Sequence, residues 1–217
     1  MLQGNVKSSA GGVHGFDASA KLTQTTAKAL HNAGFVFGLR YLSRNASPPA
    51  SDLTAAEAQL MLDAGLAVMP VQHVAAAGWV PSESKGKTNG ENAASHASAI
   101  GFPSGINVWL DLEGVRHDAA AETVIAYCNA WFDVVSAAGY MPGIYVGANA
   151  ILNGDQLYWR LRTKHYWKSG SKVPGIPERG YCMVQRIVAG DKVGGVEIDR
   201  NVTKVDGFGN SPIWLEP

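Results

Sequence analysis

The chain has 217 residues, 46% hydrophobic and 17% charged, with 18 Lys+Arg balanced by 18 Asp+Glu. That length can bury one full core, and the formal net charge of zero withholds the broad attraction that nucleic acid or an anionic membrane surface requires. No run of about 18 apolar residues is present, and the segment Met1 to Gly12 is polar and Gly-rich, so neither membrane insertion nor a secretory signal is expected.

Apolar β-rich runs alternate with stretches of helical period, the pattern of a parallel sheet wrapped by helices. Val13 to Asp17 reads as a first strand, Thr25 to Ala33 as a helix closed by Gly34, and Phe35 to Leu42 as a second strand. The Pro- and Ser-rich stretch Ser43 to Asp52 reads as a long loop. Leu53 opens a helix with Thr54 and Glu57 at capping-box spacing, ended by Gly65 before a third strand, Leu66 to Val74. Trp79 to Asn89 reads as a second long loop, Asn89 to Ile100 as a helix, and Asn107 to Glu113 as a fourth strand. A long helix, Ala119 to Ala138, ends at Gly139 and leads into a fifth strand, Pro142 to Gly147. Asp155 to Arg162 is helical, and three short strands follow with little between them: His165 to Lys168, Tyr181 to Val188 and Val196 to Val202.

Eight strands in mainly βα order predict a closed α/β barrel, flattened or incomplete where the last third is poor in helices. A doubly wound open sheet is the alternative, but it wants a glycine-rich phosphate loop after the first strand. Gly15-Phe16-Asp17-Ala18-Ser19 puts a carboxylate there instead. With no repeat or separable linker, one domain over residues 1–217 is expected, acting as a monomer. Cys128 and Cys182 have no CxxC or Cys/His company, which excludes zinc and redox motifs and predicts a reduced, buried pair.

The chemistry gathers at strand ends. In Val108-Trp109-Leu110-Asp111-Leu112-Glu113-Gly114, period-two alternation puts Asp111 and Glu113 on one side of the strand. At the C-terminal end of a barrel strand that side is the mouth, where burial and neighbouring charge raise one carboxyl pKa and leave it a proton. A protonated acid beside an ionised one is what glycosidic bond cleavage needs. Asp17 ends the first strand and Asp199 the last, and closure makes those strands neighbours, so four carboxylates are expected in one pocket. A single Asp at a strand end has a simpler reading as a helix cap or turn residue. The Asp-x-Glu pair resists that reading, because two acids on one face repel each other. A magnesium or calcium site would also use carboxylates, but no calcium-loop spacing or phosphate-cradling loop is present. No metal or cofactor is expected.

These words, in this order, resemble the glycoside hydrolase family 25 lysozymes, the N-acetylmuramidases, and still more the related glycoside-hydrolase-like domain of unknown function of bacteria and phages. They are Gly15-Phe16-Asp17-Ala18-Ser19, Leu39-Arg40-Tyr41-Leu42, Leu53-Thr54 with Ala64-Gly65-Leu66, Trp109-Leu110-Asp111-Leu112-Glu113, Gly139-Tyr140, Pro142-Gly143-Ile144-Tyr145, Gln185 and Val196-Glu197-Ile198-Asp199. The resemblance implies a modified TIM-like barrel that hydrolyses the β-1,4 bond between N-acetylmuramic acid and N-acetylglucosamine in a peptidoglycan strand. It puts Glu113 in the general acid/base position, Asp111 beside it, and Asp17 and Asp199 as flanking acids. Arg40-Tyr41-Leu42 and Pro70-Val71-Gln72-His73 look more like the uncharacterised branch. That branch often carries Asp-x-Asp, so Glu113 here argues for retained catalysis.

Sugar rings are held by aromatic faces and planar hydrogen-bonding groups, so Trp79, Tyr145 and Trp167, with Arg40, Gln72, His73 and Gln185, are the expected groove residues. Gln72 and His73 have opposite strand parity, and Gln72 is expected to face the barrel. Trp131 and Phe132 on the long helix are expected in the core. An endolysin, toxin or wall-remodelling muramidase is the first reading, and a non-catalytic glycan-binding barrel the second. A chitinase-like enzyme would prefer an Asp-x-Asp-x-Glu signature, which Asn107, Val108 and Trp109 before Asp111 do not supply. A chain made in the cytoplasm would reach the wall through phage lysis or dedicated export. Asp111 and Glu113, two residues apart, leave little room between them for an inverting enzyme's water, so net retention is expected.

Overall fold

The computed structural model describes residues 1–217 and contains twelve strands and five helices. In chain order these are β1 (Asn5–Ser8), β2 (His14–Asp17), α1 (Gln24–Asn32), β3 (Phe37–Leu42), α2 (Ala55–Asp63), β4 (Ala67–Gln72), α3 (Glu83–Ile100), β5 (Asn107–Leu112) and α4 (Ala121–Ala137). There follow β6 (Met141–Val146), α5 (Gly154–Arg160), β7 (His165–Lys168), β8 (Met183–Arg186), β9 (Lys192–Val193), β10 (Val196–Glu197), β11 (Asp199–Thr203) and β12 (Ile213–Glu216). Seven strands, β2 to β8, run parallel, and β11 runs antiparallel between β8 and β2. The pairing of β4 with β5 closes the eight-stranded barrel.

The inward-facing row is Phe37 and Leu39 on β3, Ala67, Met69 and Val71 on β4, and Trp109, Tyr145, Trp167 and Met183 on β5 to β8. Burying side chains of this size stabilises by about 1.5–3 kcal/mol each. The outer core lies between strands and helices, where Trp131 and Phe132 are fully buried, as expected. Cys128 and Cys182 are buried and unpaired.

The sequence pattern did not reveal β1 and β12. All four β1 residues are exposed, so its pairing with β12 carries no apolar alternation. β12 takes the lower edge of β4 at Leu215↔Val68, while β4 meets β5 only through Val71↔Trp109 and Gln72↔Leu110. Trp214 turns into the barrel and stacks on Phe37, centroids 5.2 Å apart. The gap left between β4 and β5 at this end is thus filled by the chain's last strand.

The expected loop over Trp79 to Asn89 is shorter than the sequence suggests, because α3 begins at Glu83. Ser82 caps it by accepting from Lys85 N. The segment looks like a loop because it is polar and contains Gly86 and Gly90, yet these glycines serve helix packing. A Cβ on Gly86 would lie 2.1 Å from the Tyr127 carbonyl oxygen of α4. The spacing of Thr54 and Glu57 also delivers only half of a capping box. Thr54 accepts from Glu57 N, while the Glu57 carboxylate turns inward to Arg40.

Candidate active site

The C-terminal ends of the parallel strands form the mouth of the barrel, and the antiparallel β11 presents its first residue there. Asp199 therefore begins its strand instead of ending it, and it is the direct Cα partner of Asp17 at the end of β2. Asp111 comes from β5, and Glu113 follows one residue beyond that strand's end. A cleft of about 150 Å³ is lined by Asp111, Glu113 and Asp199 with Tyr41, Tyr145, Trp167, Ser171, Gln185 and Ile187. An adjoining cleft of about 340 Å³ adds Asp17, Ser19 and Glu197, and the two share Tyr41 and Asp199. A cavity of about 420 Å³ near the starts of β6 and β7 has no carboxylate in its lining. No three His, Cys, Asp or Glu side chains stand close enough together to hold a metal ion.

Asp17 accepts three side-chain hydrogen bonds. Asn201 Nδ2 and Gln185 Nε2 donate to its Oδ2 at 2.8 and 3.0 Å, and the Tyr41 hydroxyl donates to Oδ1 at 3.2 Å. Trp167 Nε1 holds Asn201 from behind, and the Tyr145 hydroxyl donates to Gln185 Oε1. Burial pushes the Asp17 carboxyl up to about 6 against the pull of these donors.

Asp111 is placed differently. It is 7% exposed, and its Oδ1 has no hydrogen-bond partner. Burial, followed by the charges of Glu113 and Asp17, holds its carboxyl well above the usual carboxylate range. Glu113 is half-buried, raised first by burial and then by Asp199. Asp199 is also raised, first by burial and then by Glu197 and Asp191. From the sequence the proton is assigned to Glu113, but burial bears harder on Asp111. Glu113 owes its position to Gly147, just past the end of the neighbouring β6, where a Cβ would lie 2.4 Å from Glu113 Cβ and 2.6 Å from its Oε2. Trp79 donates Nε1–H to the Glu113 carbonyl at 2.8 Å and packs on Tyr127, so it braces the strand end outside the cleft lining.

Of the expected groove residues, Tyr145, Trp167 and Gln185 line the cleft, whereas Arg40 and Gln72 do not. Strand parity is the reason. Phe37, Leu39 and Tyr41 face the barrel, which turns Arg40 outward, 0% exposed, with its Nε 2.7 Å from Glu57 Oε1. Its guanidinium also donates to the Ala18, Ser19 and Ser51 carbonyls. Met69 and Val71 likewise face inward, so Gln72 points out, donates to the Ser43 and Asn89 carbonyls and accepts from Trp131 Nε1. Both residues anchor the connections around the mouth. His73, on the opposite parity, stacks on Tyr41. The sequence reading missed Tyr41 and Asn201, although each shares its strand's inward parity, with Leu39 and with Asp199 respectively.

A closed barrel with four carboxylates gathered at its mouth defines a glycoside-hydrolase-like protein. The chain belongs to the Rv2525c-like, glycoside hydrolase-like domain family, whose pattern matches residues 28–203. No curated protein sequence matches it significantly. Its fold is similar to that of the Mycobacterium tuberculosis Tat-secreted protein Rv2525c in complex with L-tartrate, with TM-score 0.67, 20% identity, and 93% of this chain and 99% of that one covered. It is also similar to the bacterial lysozyme from Streptomyces coelicolor (TM-score 0.63, 17% identity, 90% and 94% covered) and to a family 25 glycosyl hydrolase from Bacillus anthracis (0.60, 13%, 89% and 89%).

Proposed function

We propose that the protein is a muramidase that cuts the β-1,4 bond between N-acetylmuramic acid and N-acetylglucosamine in peptidoglycan, acting on the cell wall. The observation that carries this reading is the meeting of Asp17, Asp111, Glu113 and Asp199 around two joined clefts, one of them lined by Tyr145 and Trp167. Burial raises both the Asp111 and the Glu113 carboxyls, and the charge of Glu113 raises Asp111 further, which favours a proton shared by the pair. A glycan lying over the mouth removes water from the half-buried Glu113, which raises its carboxyl further and puts the proton where the leaving oxygen lies.

Glu113 protonates the glycosidic oxygen as the bond to the anomeric carbon breaks. The substrate's acetamido oxygen bonds to that carbon, with Asp111 steering the amide. Water then attacks, Glu113 takes its proton, and the sugar leaves with its anomeric configuration retained. Asp17 and Asp199, when ionised, stabilise the positive charge that develops on the ring. Digestion of purified peptidoglycan followed by NMR of the first product tests this reading. A new N-acetylmuramic acid reducing end, initially the β anomer, is expected; an initial α anomer would overturn the retaining route.

A glycan-binding barrel without turnover is the second reading. It is favoured by the three donors on Asp17, which suit a fixed structural acceptor as well as a reacting group. Tight glycan binding with no new reducing ends would select it.

A further inference from the structure

The Tyr41 ring is stacked by His73, which is itself held by Asp52, and the proposed reaction uses neither residue. His73 lies one residue beyond β4, and its ring stacks on Tyr41 with centroids 4.6 Å apart and planes 18° from parallel. Its Nε2 is 2.9 Å from Asp52 Oδ1. Asp52 is buried, and its other carboxylate oxygen has no hydrogen-bond partner. A buried carboxylate with an unmet oxygen is a cost that needs a reason.

Loop anchoring does not supply that reason. The connection from β3 to α2 is already held by Arg40 on the Ser51 carbonyl, Gln72 on the Ser43 carbonyl and Asn92 on the Arg44 carbonyl. The Asp52 carboxylate holds one side chain, His73. Tyr41, in turn, makes the longest of the three hydrogen bonds to Asp17, from two residues past Leu39, the Cα partner of Asp17 on the adjacent β3. Asn201 on β11 and Gln185 on β8 are each held by another side chain, Trp167 Nε1 on Asn201 Oδ1 and the Tyr145 hydroxyl on Gln185 Oε1.

We propose that Asp52 and His73 form a positioning pair that clamps the Tyr41 ring, and so keeps its hydroxyl hydrogen-bonded to Asp17. Neither member lines the clefts, so both act through Tyr41. Any consequence for turnover rests on the muramidase reading above; the consequence for Asp17 itself does not. The other groups facing Asp17 are the Gln185 and Asn201 amides and the carboxyls of Asp199 and Asp111.

The test is a titration of the Asp17 carboxyl by carbon-13 NMR, which needs no substrate. Tyr41→Phe removes a donor to the ionised form and is expected to raise the midpoint by about half a unit or more. His73→Ala and Asp52→Asn are expected to raise it in the same direction by less. His73→Phe, which keeps a flat ring on Tyr41, is expected to stay near the wild-type midpoint. In a Tyr41→Phe background His73→Ala is expected to add nothing, because the effect passes through the phenol. The proposal is overturned if His73→Ala and Asp52→Asn leave Asp17 unmoved, if Tyr41→Phe itself has no effect, or if the His73→Ala shift persists without the Tyr41 hydroxyl.

Discussion

Asp17 and Asp199 sit directly opposite each other on antiparallel strands, Cα partner to Cα partner, one from each end of the chain. Such pairs bring Cβ atoms to about 4.5–5.5 Å, close enough for the two carboxyls to feel each other's charge, and Gln185 Nε2 reaches both. Asn at either position is expected to slow turnover, and the double variant to lose less than the sum of the two, because both act on one pocket. Asp17→Asn can keep its partners by turning its amide oxygen to Asn201 and Gln185, so it is expected to fold. Strictly additive rate losses in single and double variants would separate the two roles.

Stability should depend on pH in a way that divides by residue. The Asp17 carboxyl titrates near 6 when folded and near about 3.9 when unfolded. Between those values only the folded chain keeps the proton, so this group's contribution falls as pH rises. Asp111, Glu113 and Asp199 are raised and act with the same sign. His165 opposes them: burial lowers its pKa to about 4 from an unfolded value of about 6.5, so its contribution grows as pH rises through that window. The four carboxyls outweigh the one imidazole, and unfolding free energy is expected to fall between about pH 4 and 6. Denaturant titrations should find the fall steeper in His165→Gln; a shallower fall would mean that His165 is not buried neutral.

Gly147→Ala is expected to displace Glu113, since the new Cβ would occupy space held by its side chain. A small misplacement of a reacting group can cost about 10²-fold in rate, whereas the overpacking should cost only about 1–3 kcal/mol of stability. Measuring turnover and urea midpoint on the same preparation separates the two effects. An active Gly147→Ala protein would move Glu113 out of the reaction.

The barrel was legible because its strands and helices differ in apolar period, and the first and last acids could be paired because closure makes their strands neighbours. The antiparallel sense of β11 was not legible, since Asp199 to Thr203 reads the same in either direction. Arg40 and Gln72 were misplaced for a related reason. A buried polar residue on an outward parity position looks in sequence like a groove residue, and only the partners waiting outside the barrel, Glu57 for one and Trp131 for the other, distinguish them. Trp214 gave no signal of its role, because a barrel plug after an irregular segment carries no period.

Arg40 and Glu57 form a fully buried ion pair, and Glu57 Oε1 also accepts from Leu22 N. Glu57→Gln leaves the guanidinium buried without its countercharge, and the expected loss is about 3–5 kcal/mol. A chemical denaturation curve checks it. Near wild-type stability in this variant would contradict the anchoring role assigned to Arg40.

In the proposed reaction Glu113 delivers the proton that breaks the glycan. Its amide counterpart keeps shape and hydrogen bonding but cannot protonate a leaving oxygen, so Glu113→Gln should lower turnover by about 10²–10⁴-fold while leaving folding and glycan binding nearly intact. Release of new N-acetylmuramic acid reducing ends from purified peptidoglycan, compared between wild type and folded Glu113→Gln, is the direct measurement. Release by the wild type should all but disappear in the variant; equal release by both would take Glu113 out of the reaction.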